Sequence, residues 1–257
     1  MPTDKAHWAG DNRQLPQRRR GLSAFQLKLI AIACMVLDHT AWFFFPPYEI
    51  QSIGFVMRLF GKITFPVMAF FIAEGYRHSA NLKKYLLRLG IFALLSVIPY
   101  SLAFGAVLDH GLLPNNVYIT LFLGLLSLYL TDFTQEGSLR LLIVAACAGL
   151  SYFGDWSVVG VPMIYVFGRA QDKNKRIWGG VGVFVGLYVT NFLLSHFLDG
   201  ANISPSQLAI FGAFLSVPLL YLYNGRRGND AKWAQYLFYW FYPLHLLVLV
   251  LIRYLLR

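Results

Sequence analysis

The chain has 257 residues, 57% of them hydrophobic and only 13% charged, with a mean hydropathy of +0.54. Soluble domains carry about twice that charged fraction, so the composition excludes an ordinary water-soluble fold and predicts an all-α, polytopic integral membrane protein. The net charge of +10 would suit a nucleic-acid binder, but the 22 Lys and Arg lie between apolar segments rather than on one polar domain. They report membrane topology, with lipid as the partner and no nucleic acid. Cys34 and Cys147 both sit in apolar runs, which supports neither a disulfide framework nor a metal cluster.

In chain order, residues 1–21 are polar and end in Arg18, Arg19 and Arg20, and they read as a disordered basic tail without a cleavable signal peptide. Residues 22–257 read as a single transmembrane domain with no internal linker. A bilayer core about 30 Å thick requires roughly 20 helical residues at 1.5 Å each. Nine apolar stretches approach that length: 27–45, 53–73, 85–104, 117–131, 140–153, 157–169, 177–198, 207–223 and 236–254. The fourth, fifth and sixth are short. Gly149, Gly154, Gly160 and Pro162 predict that the fifth and sixth make either a tight hairpin of two short helices or one bent, re-entrant element. The expected bundle has about nine transmembrane helices, within bounds of eight to ten.

Loop charges orient the bundle, because positively charged loops stay in the cytoplasm. Residues 1–28 hold six Lys or Arg, the 74–88 connection four and the 169–176 connection four. The opposite loops, near 46–52, 105–116, 154–156 and 199–206, hold none, only Glu49, Asp109, Asp155 and Asp199. This alternation predicts a cytoplasmic N-terminus.

Ionisable groups at membrane depth cost several kcal/mol and face a partner or a cavity, so they mark candidate functional positions. Lys28 and His39 are eleven residues apart, about three helical turns and about 16 Å, so they share one face of the first helix. Asp38 points about 100° away. In the second helix Lys62 lies about 18 Å from Glu74, with Arg58 one turn further on the same face. Asp38 is the acid nearest to them in depth, and its pairing with Lys62 or Arg58 is the structural account of all three. His245 in the last helix lies about 20 Å beyond Lys232, level with His39, just after Pro243. A neutral imidazole in a cavity suits proton abstraction from a nucleophile, and nearby cations suit a developing negative charge. Asn115 and Asn116 read either as cavity lining or as a helix cap. The basic runs at 77–88 and 169–176 suit anionic lipid or a phosphate-bearing donor equally.

The segments LKLIAIACMVLDHTAWFF (27–44), RLFGKITFPVMAFFIAEGYRHSANLKKYLLRLGIFALLSVIPY (58–100), NNVYITLFLGLLSLYL (115–130) and FYPLHLLVL (241–249) resemble the TraX family of bacterial membrane proteins. That family is named for N-terminal acetylation of conjugative pilin, and it looks distantly related to the multi-spanning acyltransferases that modify surface polysaccharides. In that larger group a basic residue followed eleven positions later by a histidine marks the first helix, the spacing of Lys28 and His39. The resemblance implies an acyltransferase-like domain in the bacterial inner membrane, acetyl-CoA as acyl donor, and a pilin-like or surface-glycan acceptor. It implies Lys28 and the basic residues Arg77, Lys83, Lys84 and Arg88 as contacts of acyl-CoA. His39 would act as general base, and His245 would polarise or orient the acyl carbonyl or the acceptor. Arg58 and Lys62 would stabilise the oxyanion while Asp38 holds them. The competing readings are a proton-coupled transporter or flippase of an anionic substrate, using Asp38, His39 and His245 as a relay, and a non-catalytic assembly protein of a surface machine.

Overall fold

The computed structural model describes residues 20–45, 52–105, 115–200, 205–229 and 231–256. The tail up to residue 19, the loop acids Glu49 and Asp109, and Arg257 lie outside the described residues, and so do 46–51, 106–114 and 201–204 of the loops. All nine apolar stretches fall on helical backbone.

Helix α1 spans Ala24–Phe44 and begins with a capping box, in which Ser23 Oγ accepts from the Gln26 N–H at 3.3 Å and Gln26 Oε1 accepts from the Ser23 N–H at 2.9 Å. Its first two amides find partners outside the helix: Ala24 and Phe25 donate to the carbonyls of Arg226 and Arg227 at 2.8 and 3.0 Å. Leu22 and Tyr223 add a parallel bridge. The start of the helix is thereby laced to the 222–227 segment, which satisfies donors that a helix end otherwise leaves open.

The second apolar stretch is a 26-residue rod, Ile53–His78, made of α2 (Ile53–Gly61) and α3 (Thr64–His78) with an interruption at Lys62 and Ile63. Pro66 explains the interruption, because it has no N–H to offer the Lys62 carbonyl four residues back. The third stretch bends in the same way. Helix α4 (Leu82–Leu95) passes into α5 (Val97–Tyr100) and a π-type turn at Ser101–Gly105 with a 40° bend, and Pro99 leaves the Leu95 carbonyl without its donor. Helices α6 (Val117–Leu130), α7 (Gly137–Leu150) and α8 (Gly160–Arg169) follow, the last two joined through short 3₁₀ turns, so the predicted hairpin is two separate short helices. Helix α9 (Lys173–Asp199) starts on an Asp172 cap, whose Oδ1 accepts from the Lys175 N–H at 2.8 Å, and ends at Gly200 with φ +65°. The chain continues through α10 (Pro205–Leu208), a 3₁₀ segment (Ala209–Leu215) and α11 (Ser216–Tyr221) to the long α12 (Lys232–Leu255).

Among the described residues, four helices are long and apolar enough to cross a membrane: Ala24–Phe44, Ile53–His78, Lys173–Leu198 and Lys232–Leu255. The bent pair α4–α5 makes a fifth, and four shorter apolar helices complete the set. Leu94, Phe197 and Leu198 each leave at least 75% of their surface exposed on the outside of the bundle. Lipid tolerates such a surface and water does not, so this is a membrane protein. Inside, α3, α6 and α8 pack on one another, α9 covers α8, and α1 packs on α2, α3 and α12. Phe65, Phe167, Phe184, Leu125, Met163 and Ile164 are fully buried there. Helix contacts in lipid depend on close packing rather than on escape from water. Gly61 shows this at the candidate site: a Cβ added to it would collide with the Asp38 side chain.

Candidate functional site

A cavity of about 660 Å³ opens among α1, α3, α4, α6 and α12. It runs from Lys28 to His39, about 16 Å along α1. That volume falls within the range of small-molecule sites.

At one end His39 lies on the wall and His245 stands directly behind it. His39 Nδ1 is 2.6 Å from His245 Nε2, and the two rings are nearly coplanar, 9° apart, with centroids 4.9 Å apart. The centroid separation exceeds the N···N distance by about two ring radii, so the rings meet edge to edge along one line. His245 Nδ1 is 2.9 Å from the Phe241 carbonyl, one turn back on α12. A carbonyl only accepts, so His245 Nδ1 carries the hydrogen and its Nε2 accepts. His39 Nδ1–H must then donate to His245. The lone pair of His39 is left on Nε2, the nitrogen that the pair does not use. This chain of forced choices prepares a base at the cavity wall.

Two further groups bear on that base. Asp38, also on the wall, pairs with Lys62 at 3.4 Å and with Arg58 at 3.8 Å. Both cations stand behind Asp38 rather than on the wall, Lys62 over the Trp156 ring at 5.1 Å and Arg58 over Trp42 at 5.0 Å. Asp155, in the turn before α8, is open to the cavity; enclosure by the surrounding protein pushes its carboxyl up to about 6, against the pull of Lys62. Tyr242, one turn before His245, lines the wall with its hydroxyl 3.5 Å from the Val117 N–H, from which it accepts, leaving its own hydrogen free to donate.

Helix α12 keeps this geometry despite Pro243. The missing proline N–H leaves the Tyr239 carbonyl without its usual donor, and the Tyr118 hydroxyl occupies the gap, 2.9 Å from Tyr239 O and 3.0 Å from Phe238 O. Tyr118 is itself positioned by Asn116, whose side chain caps α6 at the Tyr118 N–H (3.0 Å) and donates to the Ala93 carbonyl at 2.9 Å.

At the other end Lys28 and Arg88 line the wall, joined by Arg227, which spacing alone did not single out. The remaining residues expected to contact a donor lie elsewhere. Arg77 donates to the carbonyls of Phe167, Gly168 and Ala170 at the end of α8, a helix-capping arrangement. Lys83 and Lys84 are exposed at the start of α4 and off the cavity wall. Asp155, Tyr242 and Arg227 are the additions the structure makes to the site. The first two carried a faint signal: an acid in a loop free of cations, and a tyrosine one turn from a membrane histidine.

The model of the family described as TraX protein matches residues 23–253, nearly the whole chain. The chain belongs to the TraX family. A relative is the probable fimbrial assembly protein FimC, serogroup H1, of Dichelobacter nodosus, 32% identical over 245 residues that make up 90% of this chain and 96% of that protein. An uncharacterized protein of Rickettsia prowazekii (strain Madrid E) is 20% identical over 240 residues, 87% of this chain and 89% of that protein. No solved structure matches the chain. The match to TraX covers α1, α3, α6 and α12 alike, so the cavity and its histidine pair lie wholly within the family region.

Proposed function

We propose that this TraX protein is a membrane-embedded acyltransferase that moves an acetyl group from acetyl-CoA to an amine, such as a pilin-like N-terminus, or to a hydroxyl. The observation that carries this reading is the His39–His245 pair, which leaves an unprotonated Nε2 at the wall of a cavity large enough for an acyl arm and an acceptor. All nine apolar helical segments take part in a bundle in the bacterial inner membrane with the N-terminus in the cytoplasm. The Lys28 end then faces the cytoplasmic pool of the donor.

The donor supplies an activated thioester carbonyl. His39 Nε2 takes the proton of the acceptor N–H or O–H as that atom attacks the carbonyl carbon. His245 holds the His39 ring in plane and shares the imidazolium charge through the 2.6 Å contact. Tyr242 is the wall group suited to donate to the carbonyl oxygen as it gains negative charge. When the carbon–sulfur bond breaks, the proton on His39 passes to the departing thiolate. Asp38 on the wall pairs with Arg58 and Lys62 behind it, so the role of the three is to hold α1 against α2 and fix the direction of the neighbouring His39.

A second reading has its own support. The Dichelobacter nodosus relative is named a fimbrial assembly protein, which suits a pilus-associated role without catalysis. Purified protein incubated with radiolabelled acetyl-CoA and candidate peptide or sugar acceptors separates the two. Label transfer by the wild type and its loss in His39→Ala, at equal membrane abundance, supports catalysis. Absence of transfer in the wild type, with His39→Ala still supporting pilus assembly, supports the assembly role.

A further inference from the structure

Asp155 is the charged group at the His39 end of the cavity that the pairing of Asp38, Arg58 and Lys62 leaves unused. It sits in the turn between α7 and α8, and neighbouring residues fix that turn in place. Gly154 donates its N–H to the Ser151 carbonyl at 2.8 Å and packs so closely on α6 that a Cβ there would strike the Thr120 hydroxyl. Trp156 stacks on Phe65 with ring centroids 4.9 Å apart. Asp155 itself is exposed and lines the cavity, and among the described residues no cation lies within ion-pair distance of it. The charges that act on it are Lys62, Arg58 and Asp38, of which the first two are already engaged with the third. Its own charge reaches Tyr100 and Tyr242, and the Tyr242 ring is 6.4 Å from that of His39. The wall at this end therefore offers an incoming molecule a carboxylate without a counter-ion, while the nearest cations stand behind the wall.

We propose that Asp155 is a second base of this site, which holds the acceptor as an ammonium ion and takes the first of its protons. The proposal rests on the acyl-transfer reading and deepens it on the acceptor side. An ammonium nitrogen has no lone pair, so it must lose one proton before it attacks and a second as the amide forms. A hydroxyl has one proton to lose, for which His39 alone suffices. Two bases on one wall match the two protons of an ammonium ion. Asp155 receives the first and releases it to water in the cavity. His39 Nε2 takes the second as nitrogen bonds to the carbonyl carbon, and that proton leaves on the thiol when the carbon–sulfur bond breaks. An ammonium ion and a thioester thus become an amide, a thiol and one proton in solution. Enclosure favours the first step, since a carboxyl lifted to about 6 lies nearer the α-amino range of about 8 than an ordinary one at about 4.

The full chain in uncharged detergent is given radiolabelled acetyl-CoA with a short apolar peptide bearing a free α-amine, or with the same peptide carrying a hydroxyl in place of that amine. Asp155→Asn should lower kcat/KM for the amine peptide by about tenfold or more, with melting temperature tracked in parallel, and leave the hydroxyl peptide unchanged. Asp155→Glu, which keeps the charge, should recover most of the loss. Binding is read separately by calorimetry in His39→Ala, where no transfer and no His39 titration intervene. There the amine peptide should lose about tenfold in affinity from pH 7 to pH 5 as Asp155 takes up a proton, and adding Asp155→Asn should abolish that dependence. Binding of this kind, with no transfer by the wild type, removes the acyl-transfer reading and supports the ammonium seat. Transfer to the amine peptide that is indifferent to Asp155→Asn overturns the proposal and leaves the acyl-transfer reading standing. Equal affinity of the wild type for the two peptides, a comparison that needs no variant at Asp155, overturns it as well.

Discussion

At the His39 end of the cavity Asp38 and Asp155 are set against Arg58 and Lys62, two charges of each sign, with Asp38 paired to both cations and His39 bonded to His245. At the Lys28 end three cations line the wall, and the acid beside them, Glu74, is occupied by Arg176. The difference teaches that one cavity in a membrane protein can hold its charges in two ways. The charges beside His39 are paired internally, because a buried unpaired charge would cost more than the fold can spare. Near the other end Lys28 and Arg88 rest on aromatic faces instead of carboxylates.

Five substitutions test that division, beginning with the largest expected effect. His39→Ala removes the base and should lower acyl transfer by about 10³-fold with the melting curve little changed; transfer within a factor of a few of wild type would remove His39 from the reaction. Asp38→Asn takes the counter-charge from Lys62 and Arg58, whose side chains are only 10% and 12% exposed, and should cost about 3 kcal/mol in denaturant unfolding. Lys62→Met added to it should recover part of that loss, since it removes one of the stranded charges. His245→Phe keeps an aromatic ring at the position but frees the His39 tautomer, and a fall in kcat of about 10- to 100-fold with KM nearly unchanged is expected. An equal rise in KM would show instead that His245 touches substrate. Lys28→Met should change stability by less than about 1 kcal/mol, the scale of its ring contacts. Equal destabilisation by Lys28→Met and Asp38→Asn would break the comparison, because it would mean that both ends depend on paired charge.

Much of the fold was legible because lipid imposes a simple grammar: apolar length, charged breaks and proline positions translate directly into helices and their ends. The nine apolar stretches coincide with helical segments for that reason, and the shortness of 117–131, 140–153 and 157–169 is visible in both. The break at Lys62 was less legible, since Pro66 acts on a carbonyl four residues earlier and the hydropathy does not change. The Lys28–His39 spacing and the depth of His245 pointed to one cavity, and the Asp38 pairing with Lys62 and Arg58 followed from depth and charge alone.

What the chain determined by itself is therefore one-dimensional: which segments are helical, which polar groups lie deep, and which of them share a helix face. Only the tertiary structure decided which nitrogen of His39 is left as a base, because that depends on a carbonyl of Phe241 reached through His245, 206 residues away in the chain. It also decided that Arg227 and Asp155 belong to the cavity while Arg77 caps a helix end. Periodicity orders residues along one helix, whereas a site is assembled across several, and the distances between helices are set by small residues such as Gly61 whose effect appears only when two backbones meet.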